Sequence, residues 1–152
     1  MPHANRYLAA NSAGKANPGE PAPSVRILLA DDNAEILEHV AALLENRFEI
    51  IGKVLDGSLV CAEVERTRPD LIVLDISMGE SSGIEIAQRL RELGYTGEIV
   101  FLTVHEDTDL VTAAISAGGR GYVIKSRMNR DLIPAVKAVL SHHIFISGPF
   151  QE

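Results

Sequence analysis

Leu71-Ile72-Val73-Leu74-Asp75 is an unbroken apolar run closed by one carboxylate, and the same form recurs along the chain. Val25-Arg26-Ile27-Leu28-Leu29-Ala30 ends in Asp31-Asp32, Ile99-Val100-Phe101-Leu102 ends in Thr103, and Gly121-Tyr122-Val123-Ile124 ends in Lys125. Short β-rich runs that alternate with helical patterns are the signature of βαβ units on a parallel sheet. The strand ends of such a sheet form one crevice in which ligands bind. Three carboxylates, a hydroxyl and an ammonium are therefore expected to converge there. Clustered carboxylates repel one another unless a cation sits among them. Oxygen ligands without thiols or imidazoles favour a hard cation such as Mg²⁺, which keeps several waters and commonly shares its shell with a phosphate. Lys125 and Thr103 add donors for phosphoryl oxygens. The residues alone point to Mg²⁺-assisted phosphoryl transfer to a carboxylate.

The segments between these runs read as helices. Ile36, Val40, Leu43 and Leu44 share one face of a helix from about Asn33 to Asn46. Phe48 to Val54 is a further strand, and Cys61 and Val64 mark a short helix that stops before Pro69. After Asp75 a Ser/Gly loop leads to a helix from about Ile84 to Leu93, closed by Gly94. A helix from about Thr108 to Ala117 stops at Gly118-Gly119, and a last one from about Asn129 to His142 buries Leu132, Ile133, Val136, Val139 and Leu140. The fold class expected is α/β, a doubly wound five-stranded parallel sheet of (βα)5 form. The Asp31-Asp32 pair is expected to divide its work, one residue capping the first helix and the other facing the metal.

The 152 residues are enough for one domain and a tail, with 46% hydrophobic and 23% charged residues. Residues 1–24, rich in Ala, Asn, Pro, Gly and Ser, read as a disordered leader, residues 25–146 as the domain and residues 147–152 as a short C-terminal tail. A net charge of -7 argues against binding to nucleic acid or an anionic membrane. No apolar run approaches the ~20 residues of a membrane span. Cys61, the single cysteine, sits in an apolar stretch as a small hydrophobe. A cytoplasmic location is expected.

The order of these positions, an acidic pair, then Asp, Thr and Lys at successive strand ends, resembles the receiver domain of bacterial two-component response regulators, a flavodoxin-like, CheY-like fold. The resemblance covers residues 25–146 or so, and Gly121-Tyr122-Val123-Ile124-Lys125-Ser126 is most similar to receivers of the LuxR/NarL type. It implies that Asp75 is the phosphoacceptor, that Asp31 and Asp32 bind Mg²⁺ together with Asp75 and the Ser77 backbone carbonyl, and that Thr103 and Lys125 meet the phosphoryl oxygens. Tyr122 matches the aromatic switch position, its ring expected to rotate inward as Thr103 moves toward a phosphoryl group. The implied partners are a histidine kinase or histidine phosphotransfer protein and a downstream protein target, and a homodimer is compatible with the family. The ten residues after His142 are too few for the helix-turn-helix output domain of that branch, so no DNA binding is expected of this chain.

Gly79 stands where receivers usually carry Pro and implies a looser loop, and Val104 stands where a small residue is usual, with bulk that would crowd the mouth of the crevice. These departures keep open a degenerate receiver that binds partners independently of phosphorylation. A haloacid-dehalogenase-type phosphatase fits less well, because Asp75 is followed by Ile76-Ser77 rather than by a second Asp two residues on.

Overall fold

Strands that are apolar at every position must be covered on both faces. The computed structural model, which describes residues 24–148, meets this requirement with a parallel sheet between two helical layers. The elements run β1 (Arg26–Ala30), α1 (Ala34–Leu44), β2 (Glu49–Val54), α2 (Val60–Thr67) and β3 (Leu71–Asp75). The short β4 (Ser77–Met78) and β5 (Ser81–Ser82) follow, then α3 (Gly83–Glu92), β6 (Glu98–Thr103), α4 (Thr108–Ser116), β7 (Gly121–Ile124), α5 (Met128–Leu140) and β8 (Phe145–Ile146). Strand order in the main sheet is β2-β1-β3-β6-β7-β8, with every neighbouring pair parallel.

Successive side chains of a strand point to opposite faces, so each strand feeds two cores. Leu28, Ile72, Leu74, Ile99, Phe101 and Tyr122 pack with Val64 of α2, Leu90 of α3 and Ala114 of α4. Ile27, Leu29, Leu71, Val73, Val100, Leu102 and Val123 pack on the other side with Leu37 and Val40 of α1 and Leu132 and Val136 of α5. The helix ends follow local chemistry. Gly94 and Gly118 have φ of +93° and +103° and close α3 and α4, while Arg68 takes φ +50° just before Pro69. Cys61 is half-buried, and burial pushes its thiol up.

Three details differ from the sequence reading. The sheet has a sixth strand, β8, because Phe145 and Ile146 pair with Gly121 and Tyr122. The cap of α1 is Asn33, whose side chain accepts from the N–H groups of Glu35 and Ile36, so neither Asp31 nor Asp32 is spent on capping. The loop after Asp75 holds a short hairpin: β4 and β5 pair antiparallel, with Gly79 at φ +63° between them. Proline, fixed near φ -65°, cannot adopt that conformation. The leader, apart from Ser24, and residues 149–152 lie outside the described residues, whereas Ser147, expected in the tail, is fully buried.

Candidate functional site

The order β2-β1-β3 places the carboxyl ends of β1 and β3 side by side at the point where the strand order reverses, the position where open α/β sheets bind ligands. Ala30 is in register with Leu74, so Asp31 and Asp75 emerge as neighbours. On the far side of β3, Asp75 lies opposite Leu102, and Thr103 lies opposite Ile124, which brings Thr103 and Lys125 to the same end of the sheet. Asp31, Asp75 and Thr103 are only 1%, 2% and 1% exposed, whereas Asp32 faces solvent.

Lys125 reaches across the crevice. Its Nζ lies 2.8 Å from Asp31 Oδ2 and 3.4 Å from Asp75 Oδ1. Burial opposes its charge, but the 2.8 Å contact with Asp31 and the two carboxylate charges outweigh burial and hold its pKa above the ordinary lysine value. Asp75 is pushed up to about 6, first by burial and then by the Asp31 charge, against the pull of Lys125 and the Ser77 N–H. That N–H donates to Asp75 Oδ1 at 3.1 Å. A carboxyl at 6 remains mostly ionised, and so nucleophilic, at neutral pH.

Oxygen atoms of Asp31, Asp32 and Asp75 lie within 4.8 Å of one another. Asp31 Oδ1 accepts from the Asn33 N–H, but Asp31 Oδ2 is buried with no aligned hydrogen-bond donor, the Lys125 ammonium approaching it only as an ion pair. Three carboxylates share this one ammonium, so the cluster keeps a net negative charge that a further cation would offset. The donor set, carboxylates without sulfur or imidazole, fits Mg²⁺.

The loop after β6 joins the site to the interior. Thr103 Oγ1 accepts from the His105 N–H at 3.1 Å, and Tyr122 donates its hydroxyl to the His105 carbonyl at 3.0 Å. Burial, and then the Asp107 charge, pushes the Tyr122 hydroxyl up to about 12. Its ring is fully buried. Val104 is 66% exposed.

Sequence reasoning missed two contributors. The His105 backbone links Thr103 to Tyr122, although its side chain is exposed as expected. Gly83 is required at the start of α3 because a Cβ there would stand 2.1 Å from the Asp75 carbonyl oxygen. Among the described residues no helix is long and apolar enough to cross a membrane.

Residues 27–137 match the sequence family described as the response regulator receiver domain. The transcriptional regulatory protein PdtaR of Mycobacterium tuberculosis is 35% identical over 117 residues, which cover 76% of this chain and 57% of PdtaR. The transcriptional regulatory protein DegU of Brevibacillus brevis is 31% identical over 124 residues, or 80% of this chain and 52% of DegU. The chain thus spans about half the length of these relatives. A two-component response regulator of the LuxR family from Aurantimonas sp. SI85-9A1 superposes with a TM-score of 0.78 at 27% identity, over 82% of this chain and 91% of that one. A chain of the CheX-CheY-BeF3-Mg complex from Borrelia burgdorferi shares the fold at 18% identity, with a TM-score of 0.74 over 78% of this chain and 91% of that one.

Proposed function

Since the chain belongs to the response regulator receiver domain family of two-component systems, we propose that it acts as a switch in which Asp75 accepts a phosphoryl group from a phosphohistidine. An Asp75 carboxylate oxygen forms the bond to phosphorus as the P–N bond of the donor breaks, and the departing imidazole takes up a proton. Lys125, freed from part of its pairing with Asp31 and Asp75, moves its ammonium to a phosphoryl oxygen, and the Thr103 hydroxyl donates to another. The observation that carries this reading is the Lys125 ammonium held between the two buried carboxylates of Asp31 and Asp75. Asp31, Asp32, Asp75 and the Ser77 carbonyl would hold Mg²⁺. Bound there, the ion would offset the charge on the transferring oxygens.

The donor would be a histidine kinase or a histidine phosphotransfer protein, met in the cytoplasm. The output would be a changed protein surface near α4, β7 and α5, reached through Thr103, the His105 backbone and Tyr122. Because the Tyr122 ring is already buried, phosphorylation on this reading stabilises a preformed arrangement rather than creating it. The net charge of -7 disfavours DNA as a direct partner of residues 1–152.

Incubation with acetyl phosphate and Mg²⁺ followed by intact mass spectrometry tests the assignment. A gain of one phosphoryl group, lost in Asp75→Asn, is expected. A gain that persists in Asp75→Asn overturns the choice of residue, and no gain in the wild type favours a receiver that binds partners independently of phosphorylation.

A further inference from the structure

The segment after α5 does more than extend the sheet. Phe145 N–H donates to the Arg120 carbonyl at 2.9 Å and Ser147 N–H to the Tyr122 carbonyl at 2.8 Å, which docks β8 along β7. The next amide on that side of β7, the Ile124 N–H, is met by a side chain: it donates to Ser147 Oγ at 3.2 Å. The same hydroxyl donates to Asp131 Oδ2 at 2.6 Å, a direction fixed because an ionised carboxylate can only accept. Arg130 Nε donates to the other oxygen, Asp131 Oδ1, at 2.9 Å.

Ser147 is 0% and Asp131 3% exposed. Burying a carboxylate and a hydroxyl in an apolar layer is costly unless both are satisfied, and sealing a strand edge does not require them. Their location gives them a second use. Ile124 is the residue before Lys125, Lys125–Arg127 forms a 3₁₀ turn, and Asp131 lies in the first turn of α5 beyond it. One hydroxyl therefore clasps both flanks of the turn that carries the active ammonium. That turn has no strand partner of its own, so the clasp limits where the Lys125 backbone can sit, and hence how its long side chain spans to Asp31 and Asp75.

We propose that Ser147, oriented by Asp131, is a positioning residue for Lys125 and through it sets the rate at which Asp75 is phosphorylated, a role that rests on the function proposed above. Small misplacements of a catalytic group cost large factors in rate.

The test combines amide hydrogen exchange at Ile124 with the rate of phosphorylation by acetyl phosphate and Mg²⁺, in the full chain. Ser147→Ala removes the hydroxyl. Ser147→Cys keeps nearly the same volume but supplies a poor acceptor, and so guards against loss of folding. Both are expected to speed Ile124 exchange and to slow phosphorylation by about tenfold. In a Lys125→Ala background the Ser147 substitutions should change the rate by less than about twofold, since residues that act as a unit are not additive. A merely structural clasp gives the opposite pattern: fast exchange at Ile124 with a wild-type rate, or equal slowing with and without Lys125, and either result overturns the proposal. Unchanged Ile124 exchange in both variants also overturns it. If the wild type takes no phosphoryl group while Ile124 remains protected, the phosphoryl-transfer reading fails, and the kinetic role with it, although the clasp itself is intact.

Discussion

Replacing Asp75 by asparagine should make the unmodified protein more stable. The carboxyl is 2% exposed and is pushed from its ordinary 3.8 to about 6, chiefly by burial and by the charge of Asp31. At about 1.36 kcal/mol per pH unit, that change penalises the ionised form by about 3 kcal/mol. The substituted amide would carry no charge yet could still accept from the Ser77 N–H, so most of the penalty disappears. It does not copy the protonated acid in full, and the expected gain at pH 8 is about 1 to 3 kcal/mol. At this size that is roughly 3 to 8 °C in melting temperature. The sign fixes the pH window. A raised carboxyl pKa means the penalty is complete above about pH 7, shrinks as pH falls through about 6 and the folded protein takes up the proton, and is gone below 3.8. Thermal unfolding of both proteins at pH 8 and at pH 4, in a chelating buffer, reads the difference directly. A variant no more stable than wild type at pH 8, or one whose advantage persists undiminished at pH 4, would refute the electrostatic reasoning.

Other expectations follow from the same geometry. Asp32→Ala, which removes the exposed member of the acidic trio, should raise the Mg²⁺ concentration needed for half-maximal phosphorylation while leaving stability within about 0.5 kcal/mol; an unchanged Mg²⁺ titration counts against its role. Gly83→Ala should cost more than about 2 kcal/mol in chemical denaturation, because the new Cβ would stand 2.1 Å from the Asp75 carbonyl oxygen and the loop has to shift. Thr103→Ala should slow phosphorylation and weaken its effect on partner affinity, since the hydroxyl also receives the His105 N–H; equal affinity gains in both proteins would place the coupling elsewhere. Val104→Ala, at a side chain 66% exposed, should leave stability unchanged within about 0.5 kcal/mol and speed acyl-phosphate decay, with equal or slower decay rejecting any shielding by its methyl groups.

The site was readable because each of its residues ends an apolar run, and strand ends of a parallel sheet converge whatever the loops do. Asp31, Asp75, Thr103 and Lys125 needed no more than that register to meet. What stayed hidden depends on partners far along the chain. Asp131 looks like an ordinary acidic residue in the first turn of a helix, and only the return of β8 buries it against Ser147. Phe145-Ile146 is too short a run to announce a strand, and Ser147-Gly148-Pro149 has the composition of a tail. The cap of α1 was misassigned because Asp and Asn are equally good N-caps, so three polar residues in a row, Asp31, Asp32 and Asn33, could not be ranked by type. The direction in which Tyr122 points is a rotamer choice, which no periodicity encodes.

The brevity of β8 bears on how the molecule behaves in a crowded solution. A sheet edge is a template on which another chain can polymerise, and natural proteins blunt such edges with short strands and charge. At one rim, β2 presents Glu49 and an exposed Lys53 to any approaching strand. At the other rim, β8 offers two residues and is followed by Gly148 at φ +78°, a conformation that cannot extend the ladder. Beneath it, β7 is apolar at every residue and fully buried. Proteolytic nicking in the exposed stretch from Ser141 to Ile144 would release β8 and lay bare the Gly121–Ile124 edge, an aggregation hazard created without touching Asp31, Asp75, Thr103 or Lys125.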